Sequence, residues 1–298
     1  MAARLGVWAV MAALMLAPGL ASADAQGDWL AARAAAFKAF KAGPTQAWDA
    51  PEAPQMALIP AGEVIMGPAP GTKDLRGNER PQAKVRFDKP LWVARYPITV
   101  GEFAAFETAT HHDAGSQCWT FEDEDGHIRQ GRNWTNPGFR QAPDHPVLCV
   151  SIAEVDAYIA WLKAKTGLRY RLLTEAEYEY ANRAGSTGDF WWGEEVGANH
   201  ANCDGCGSLW DNRRTSPVGS FKPNAFGLYD TAGDTWVWTS DCFVDAKTPL
   251  LPGGGCTEHA IRGGAWHGGP SGLRSFSRFH HTPDTHSATL GFRLAREP

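Results

Sequence analysis

Arg171-Leu172-Leu173-Thr174-Glu175-Ala176-Glu177-Tyr178-Glu179-Tyr180-Ala181 is the stretch from which the fold is read. Thr174 with Glu177 three residues on forms a capping box, in which the hydroxyl accepts from the third helical amide while the carboxylate reaches back. A helix therefore starts here. The same signature recurs at Thr99 with Glu102 and at Ser151 with Glu154. Behind Ser151 the residues Ile152, Val155, Tyr158, Ile159 and Leu162 make one apolar stripe, and Gly167 is placed to stop that helix. The stripe reads as core. Toward the N-terminus, the alternating runs 84–87 and 91–96 read as strands. Beyond Gly185 no long helical period returns, and the C-terminal half reads as loops and short strands. With 32 Gly, 20 Pro and 13 Trp in 298 residues, much of the backbone should be irregular and packed by large aromatics. A net charge of -5 is too small, and of the wrong sign, for binding nucleic acid or anionic lipid.

Residues 1–23 carry a basic start at Arg4, a short apolar run, the breaker pair Pro18-Gly19 and the ending Ala21-Ser22-Ala23. This reads as a secretory signal peptide, too short and too interrupted to span a bilayer. Export to the periplasm or beyond is expected, with no membrane span in the mature chain. Residues 24–55 read as a helix over 28–41 followed by a Pro/Ala-rich linker, and residues 56–298 as the main domain. The even set Cys118, Cys149, Cys203, Cys206, Cys242 and Cys256 suits an oxidising compartment. Six cysteines allow 15 pairings, and proximity favours Cys118 with Cys149, Cys203 with Cys206, and Cys242 with Cys256. A redox or zinc role for Cys203-Asp204-Gly205-Cys206 lacks the surrounding pattern either would need.

Several phrases then occur in order: Met56-Ala57-Leu58-Ile59-Pro60-Ala61-Gly62, Pro97-Ile98-Thr99-Val100, His145-Pro146-Val147, the stretch from Arg171, Asn224-Ala225-Phe226-Gly227-Leu228-Tyr229-Asp230, Arg262-Gly263-Gly264-Ala265-Trp266 and Gly291-Phe292-Arg293. Together they resemble the formylglycine-generating enzyme family, also called the sulfatase-modifying factor domain. The resemblance implies a single α+β domain of low regular secondary structure, related to the C-type-lectin-like fold. It also implies oxidation of a sulfatase cysteine to formylglycine, with two cysteines after the Gly-Gly-Ser-aromatic motif holding copper. Soft thiolates are the ligands Cu(I) prefers. Here Ala265 stands at the motif serine, and 263–274 contains no cysteine. The thiol positions fall near Gly268 and Ser271-Gly272, so formylglycine generation is not expected. Trp266, His267, Ser271 and Arg274 are the groove candidates. Arg274 reads equally as an arginine paired in a crowded core, and Thr289 replaces a groove asparagine.

The resemblance further implies structural calcium, a hard cation that takes oxygen ligands. A first site would use Asn202 and Asp211 side chains with carbonyls of Cys203 and Arg213. A second would use carbonyls of Asp230, Gly233 and Thr235, but Val237 replaces its glutamate. Copper or iron is not expected, although a histidine-based site would admit it. His267, His280, His281 and His286 are the candidates for one. On an extended strand His280 and His281 point to opposite sides, so at most one of them joins His267. The acidic run Glu122-Asp123-Glu124-Asp125-Gly126 reads as a solvated loop, and Asn133-Trp134-Thr135 is a glycosylation sequon only in a eukaryotic host.

Three functions follow. The favoured one is an exported family protein, without copper thiols, that binds a peptide or small ligand in the retained groove. The alternative is a divergent periplasmic oxidoreductase with a histidine-based metal site, as implied by a thiol-poor relative in pyoverdine siderophore maturation. Formylglycine generation on sulfatases comes last. Intact-mass measurement with and without reduction should find a mature chain starting near Asp24 with no thiol that labels before reduction. A retained N-terminus or labelling without reductant would contradict that expectation.

Overall fold

All three capping-box residues start helices in the computed structural model, which describes residues 23–75, 78–79, 82–113, 115–123, 125–244 and 255–298. Apart from residue 23, the segment read as a signal peptide lies outside the described residues. In chain order the elements are α1 (Ala23–Ala39), β1 (Gln46–Trp48), β2 (Gln55–Ile59), β3 (Gly62–Met66), β4 (Ala83–Phe87) and β5 (Leu91–Ala94). Next come α2 (Val100–Thr110), β6 (Gln117–Thr120), β7 (His127–Gln130), α3 (Ile152–Thr166), β8 (Tyr170–Leu172) and α4 (Glu175–Arg183). The last strands are β9 (Trp236–Cys242), β10 (His259–Arg262), β11 (Arg278–His281), β12 (Leu290–Phe292) and β13 (Leu294–Arg296). The fold is the mixed α and β domain expected, with four helices, short strands and long irregular connections among the described residues. None of these helices is long and apolar enough to cross a membrane.

A five-stranded antiparallel sheet runs β1-β2-β5-β13-β8, and a four-stranded sheet runs β11-β10-β9-β12, with β12 parallel to β9. Hairpins β3-β4 and β6-β7 stand apart. The chain end joins the two sheets: Phe292 closes β12, Leu294 opens β13, and Arg293 between them is fully buried. Its guanidinium donates to the carbonyls of Ala94 (2.7 Å), Tyr229 (2.5 Å) and Asp230 (2.9 Å), and burial pushes its pKa down. Gly291 is required by close approach, since a Cβ there would sit 2.3 Å from the Val147 carbonyl oxygen. Phe103 and Phe106 of α2, Tyr158 of α3 and Phe292 form the aromatic centre of the core.

Two segments differ from the sequence reading. The N-terminal helix is Ala23–Ala39 rather than 28–41, and the stretch read as linker contributes β1, which pairs with β2. Both are bound by Arg33. Its guanidinium lies between the Trp29 and Trp48 rings at 4.9 and 4.8 Å, donates to the Ala53 carbonyl at 2.7 Å, and pairs with Glu102 of the α2 capping box. Local pattern could not show this partner.

Beneath the second sheet lies a buried ionic cluster. Glu179 is bound by Arg262 at 2.6 Å and Arg183 at 2.9 Å, while Glu175 is bound by Arg278 at 2.5 Å and Arg262 at 3.3 Å. Removing one member strands a buried opposite charge, which costs about 3–5 kcal/mol. Glu179→Ala should therefore lower stability by about that amount in denaturant unfolding. Lys84→Ala, which removes an exposed pair with Glu63, should leave the midpoint unchanged. Equal midpoints for wild type and Glu179→Ala would show that the cluster does not support the fold.

Candidate functional site

Arg262 ends β10, and the chain then reverses through Gly263 and Gly264, both with positive φ (105° and 79°). A Cβ on Gly263 would lie 2.4 Å from the Tyr178 hydroxyl oxygen, so both conformation and space require glycine there. This turn lays 265–272 along the second sheet. A cavity of about 600 Å³ opens between that segment, β9 (Trp236), β11 (Phe279, His281), the 282–289 loop, and the β6-β7 hairpin with Trp119, Phe121 and Ile128. The Cys118–Cys149 disulfide fixes the hairpin to the segment leading into α3.

Strand alternation places the histidines. On β11, Phe279 and His281 face the cavity, while Arg278 turns to Glu175 and His280 lies 2.8 Å from Glu258 and stacks on Phe243. The adjacent pair is thus split as expected, and His281 joins His267. No hydrogen bond is made by the His281 ring among the described residues, and burial, helped by His280, pushes its pKa down to about 4. His267 Nδ1 lies 2.7 Å from Asn212 Oδ1, its ring lies 4.1 Å from that of Phe121, and burial lowers its pKa against the pull of Asp204. His286 also lines the cavity; its Nε2 lies 2.9 Å from Glu154, which raises its pKa. At neutral pH the cavity offers two neutral imidazoles and one paired with a carboxylate.

The other groove candidates are placed differently. Trp266 is buried under the cavity, donates to the Ala288 carbonyl at 2.7 Å, and packs on Phe121 and Phe139. Ser271 sits in a 3₁₀ turn, Pro270–Leu273, outside the lining. Arg274 pairs with Asp189 at 3.2 Å and donates to the carbonyls of Lys73 and Asp74, both at 3.3 Å. It is paired but only partly buried, and it does not line the cavity. Thr289 does line the cavity, its hydroxyl 2.9 Å from that of Ser287. Sequence reasoning missed Trp119, Ile128, Trp236 and Phe279. A tryptophan opposite an isoleucine in an otherwise polar hairpin was the one signal available for the first two.

All six cysteines form the three pairs favoured by proximity, and no thiol is free. Among the described residues no three His, Cys, Asp or Glu side chains are grouped to hold a metal ion. The oxygen donors implied for calcium can still be compared with their surroundings. Asn202 Oδ1 accepts from the Ser208 hydroxyl (2.7 Å), and Asp211 accepts from the amides of Gly205 (2.8 Å) and Gly207 (2.5 Å). The loop 202–211 thus carries an amide oxygen and a carboxylate, the kinds of donor a hard cation takes, each accepting hydrogen bonds from the loop itself. The second set fits poorly. Arg293 already donates to the Asp230 carbonyl, and Val237 is buried with no side-chain oxygen to offer.

Residues 42–298 match the family described as sulfatase-modifying factor enzyme 1-like domain. The formylglycine-generating enzyme of Streptomyces coelicolor is 31% identical over 295 residues, covering 80% of this chain and 88% of that protein. The inactive C-alpha-formylglycine-generating enzyme 2 of Mus musculus is 30% identical, covering 81% and 85%. Among solved structures, PvdO from Pseudomonas aeruginosa superposes with a TM-score of 0.74 at 36% identity, covering 87% of this chain and 100% of that one.

The histidine shifts have opposite pH signatures. An unfolded histidine titrates near 6.5, so His281, at about 4 when folded, makes stability fall as pH drops through that interval. The His286–Glu154 pair stabilises fully below about 6.5 and loses its effect as pH rises through the raised folded value. Proton NMR titration should show the His281 ring unchanged down to near pH 4 and His286 titrating above 6.5. A His281 midpoint at 6.5 would contradict its buried, neutral placement.

Proposed function

The chain belongs to the sulfatase-modifying factor, or formylglycine-generating enzyme, family, and from that membership we propose that it is an exported member that does without copper thiols and binds a small aromatic ligand in its groove. The observation that carries this reading is His281, a neutral imidazole without a hydrogen-bond partner among the described residues, facing a cavity walled by Trp119, Phe121, Trp236 and Phe279. Such a ring accepts or donates one directed hydrogen bond, and the aromatic walls favour a flat apolar body. A phenolic or catecholic compound combines the two. The segment that corresponds to the thiol-bearing one of family enzymes is glycine-rich and has no thiolate for Cu(I), with His267 its one imidazole. Calcium bound by Asn202, Asp211 and the carbonyls of Cys203 and Arg213 is proposed as a structural ion that stiffens the loop beside His267.

A second reading, a divergent periplasmic oxidoreductase, is favoured by the same imidazole and by the likeness to PvdO over that chain's whole length. Here His281 takes a proton from a bound hydroxyl. Two hydrogens leave the ligand in all, and dioxygen takes the electron pair and both protons and departs as hydrogen peroxide. Peroxide formed on mixing protein, phenolic compound and oxygen, and lost in His281→Phe, would select this reading over simple binding.

Binding is tested by quenching of tryptophan fluorescence with a panel of phenols and catechols, and with a Cys-x-Pro-x-Arg peptide. Catechols should bind, His281→Phe should weaken them about tenfold, the scale of one hydrogen bond in a dry site, and mass spectrometry should find the peptide cysteine unconverted even with copper and oxygen. Peptide binding without phenol binding, or conversion to the aldehyde, would overturn the proposal. For calcium, chelation should lower the melting temperature and added calcium restore it, with Asp211→Asn blunting both effects. An unchanged melting curve would remove the ion from the account.

A further inference from the structure

Off the main cavity opens a side pocket of about 200 Å³, lined by Trp236, Gly264, Ala265, Gly268, Gly269, Gly272 and Phe279. Trp236, Ala265, Gly268 and Phe279 border both spaces, so the two are adjacent. Gly264 is glycine for a structural reason, having positive φ and a would-be Cβ 2.6 Å from Leu273. The other three are not. None of Gly268, Gly269 and Gly272 has positive φ. A Cβ at Gly268 would meet only the Ala265 oxygen at 3.7 Å, one at Gly269 nothing within 4 Å, and one at Gly272 the Trp236 ring at 3.5 Å, an ordinary contact. The backbone therefore accepts alanine at all three positions. What glycine leaves there is room.

The walls say what the room takes. Among the described residues no titratable side chain lines the pocket, the Trp236 indole N–H is the one polar side-chain group there, and the large surfaces are the rings of Trp236 and Phe279, whose centroids lie 6.2 Å apart at 34°. Phe279 is 39% exposed, a large apolar surface on a strand face that a ligand would cover. A dry cavity of about 150 Å³ takes one benzene, so this space matches a single six-membered ring with small substituents. His281 stands two residues along β11 from Phe279 on the same face, about 7 Å away, within reach of a hydroxyl on a ring seated against Phe279.

We propose that this pocket is a ring-selecting subsite in which the bare backbone of Gly268, Gly269 and Gly272 forms the floor and Trp236 and Phe279 form the wall for an uncharged planar ring. The inference rests on the small-ligand reading and adds the residues that set specificity. Gly272, whose Cβ would point at Trp236, is the place to test it. Affinities of catechol and of its saturated analogue 1,2-cyclohexanediol are measured by tryptophan quenching or calorimetry for wild type, Gly272→Ala, Gly272→Val and Trp236→Leu. Wild type should prefer the planar compound. Gly272→Val and Trp236→Leu should each reduce catechol affinity about tenfold with little effect on the saturated compound, and Gly272→Ala should fall between. If Gly272→Val does not fold by its melting curve, the alanine and Trp236→Leu variants decide. Catechol binding that depends on His281 but is indifferent to Gly272 and Trp236 overturns the subsite and leaves the function reading standing. Loss of catechol binding in wild type overturns both.

Discussion

Arg262 bound between Glu175 and Glu179 is the interaction from which the rest of the groove hangs. Arg262 ends β10 just before the Gly263-Gly264 turn, the glutamates lie on α4, and Arg278 begins β11. The cluster therefore fixes against a single helix both β11, which walls the cavity, and the end of β10, from which the Gly263-Gly264 turn departs. Burying these charges is expensive, and each must meet a partner: Arg262 also donates to the Ser275 carbonyl at 2.9 Å, and Arg183 to those of Gly188 (3.0 Å) and Gly67 (3.1 Å). Irregular loops gain defined positions because their carbonyls are needed to satisfy guanidinium groups. A fold poor in regular ladders can be rigid on that basis.

Arg293 does the same at the junction of the two sheets, with carbonyls alone as acceptors. None of these contacts involves a thiol. The frame of the groove does not depend on sulfur there: 263–274 has no cysteine, and the strands, the turn and the cavity are in place without one. Shared architecture with formylglycine-generating enzymes carries no activity by itself. The chemistry of the side chains that do face the cavity, two neutral imidazoles among aromatic rings, has to carry the function.

What the sequence disclosed was local. The three capping boxes, the stop at Gly167 (φ 73°) and the division of His280 from His281 each depend on residues a few positions apart, and each appears in the structure. Disulfide pairing by proximity held because neighbouring strands and loops bring those cysteines together. Long-range placement was not legible. The direction of Arg274 is set by Asp189 and by carbonyls 200 residues earlier in the chain. The insertion of β13 between β5 and β8, and the closure of the cavity by the β6-β7 hairpin, join segments that no period or spacing connects.

The hairpin also ties the cavity to its surroundings. Trp119 and Ile128 are 40% and 57% exposed, and their hairpin is held over the groove by the bridge from Trp119 to Ser287, the Cys118–Cys149 bond and the packing of Phe121 on Trp266 and His267. That bond closes a loop of 31 residues, which by chain entropy is worth about 3–4 kcal/mol. The buried ion cluster, in contrast, lies on the other side of the second sheet and needs no disulfide. Reducing that bond would therefore leave the core with its charges paired and remove one of the ties of the aromatic wall, whose backbone bonds to 286–288 and Phe121 packing do not depend on it. The disulfide thus supports the wall of the groove and not the charged core, and an environment in which disulfides persist suits the cavity more than it suits the rest of the fold.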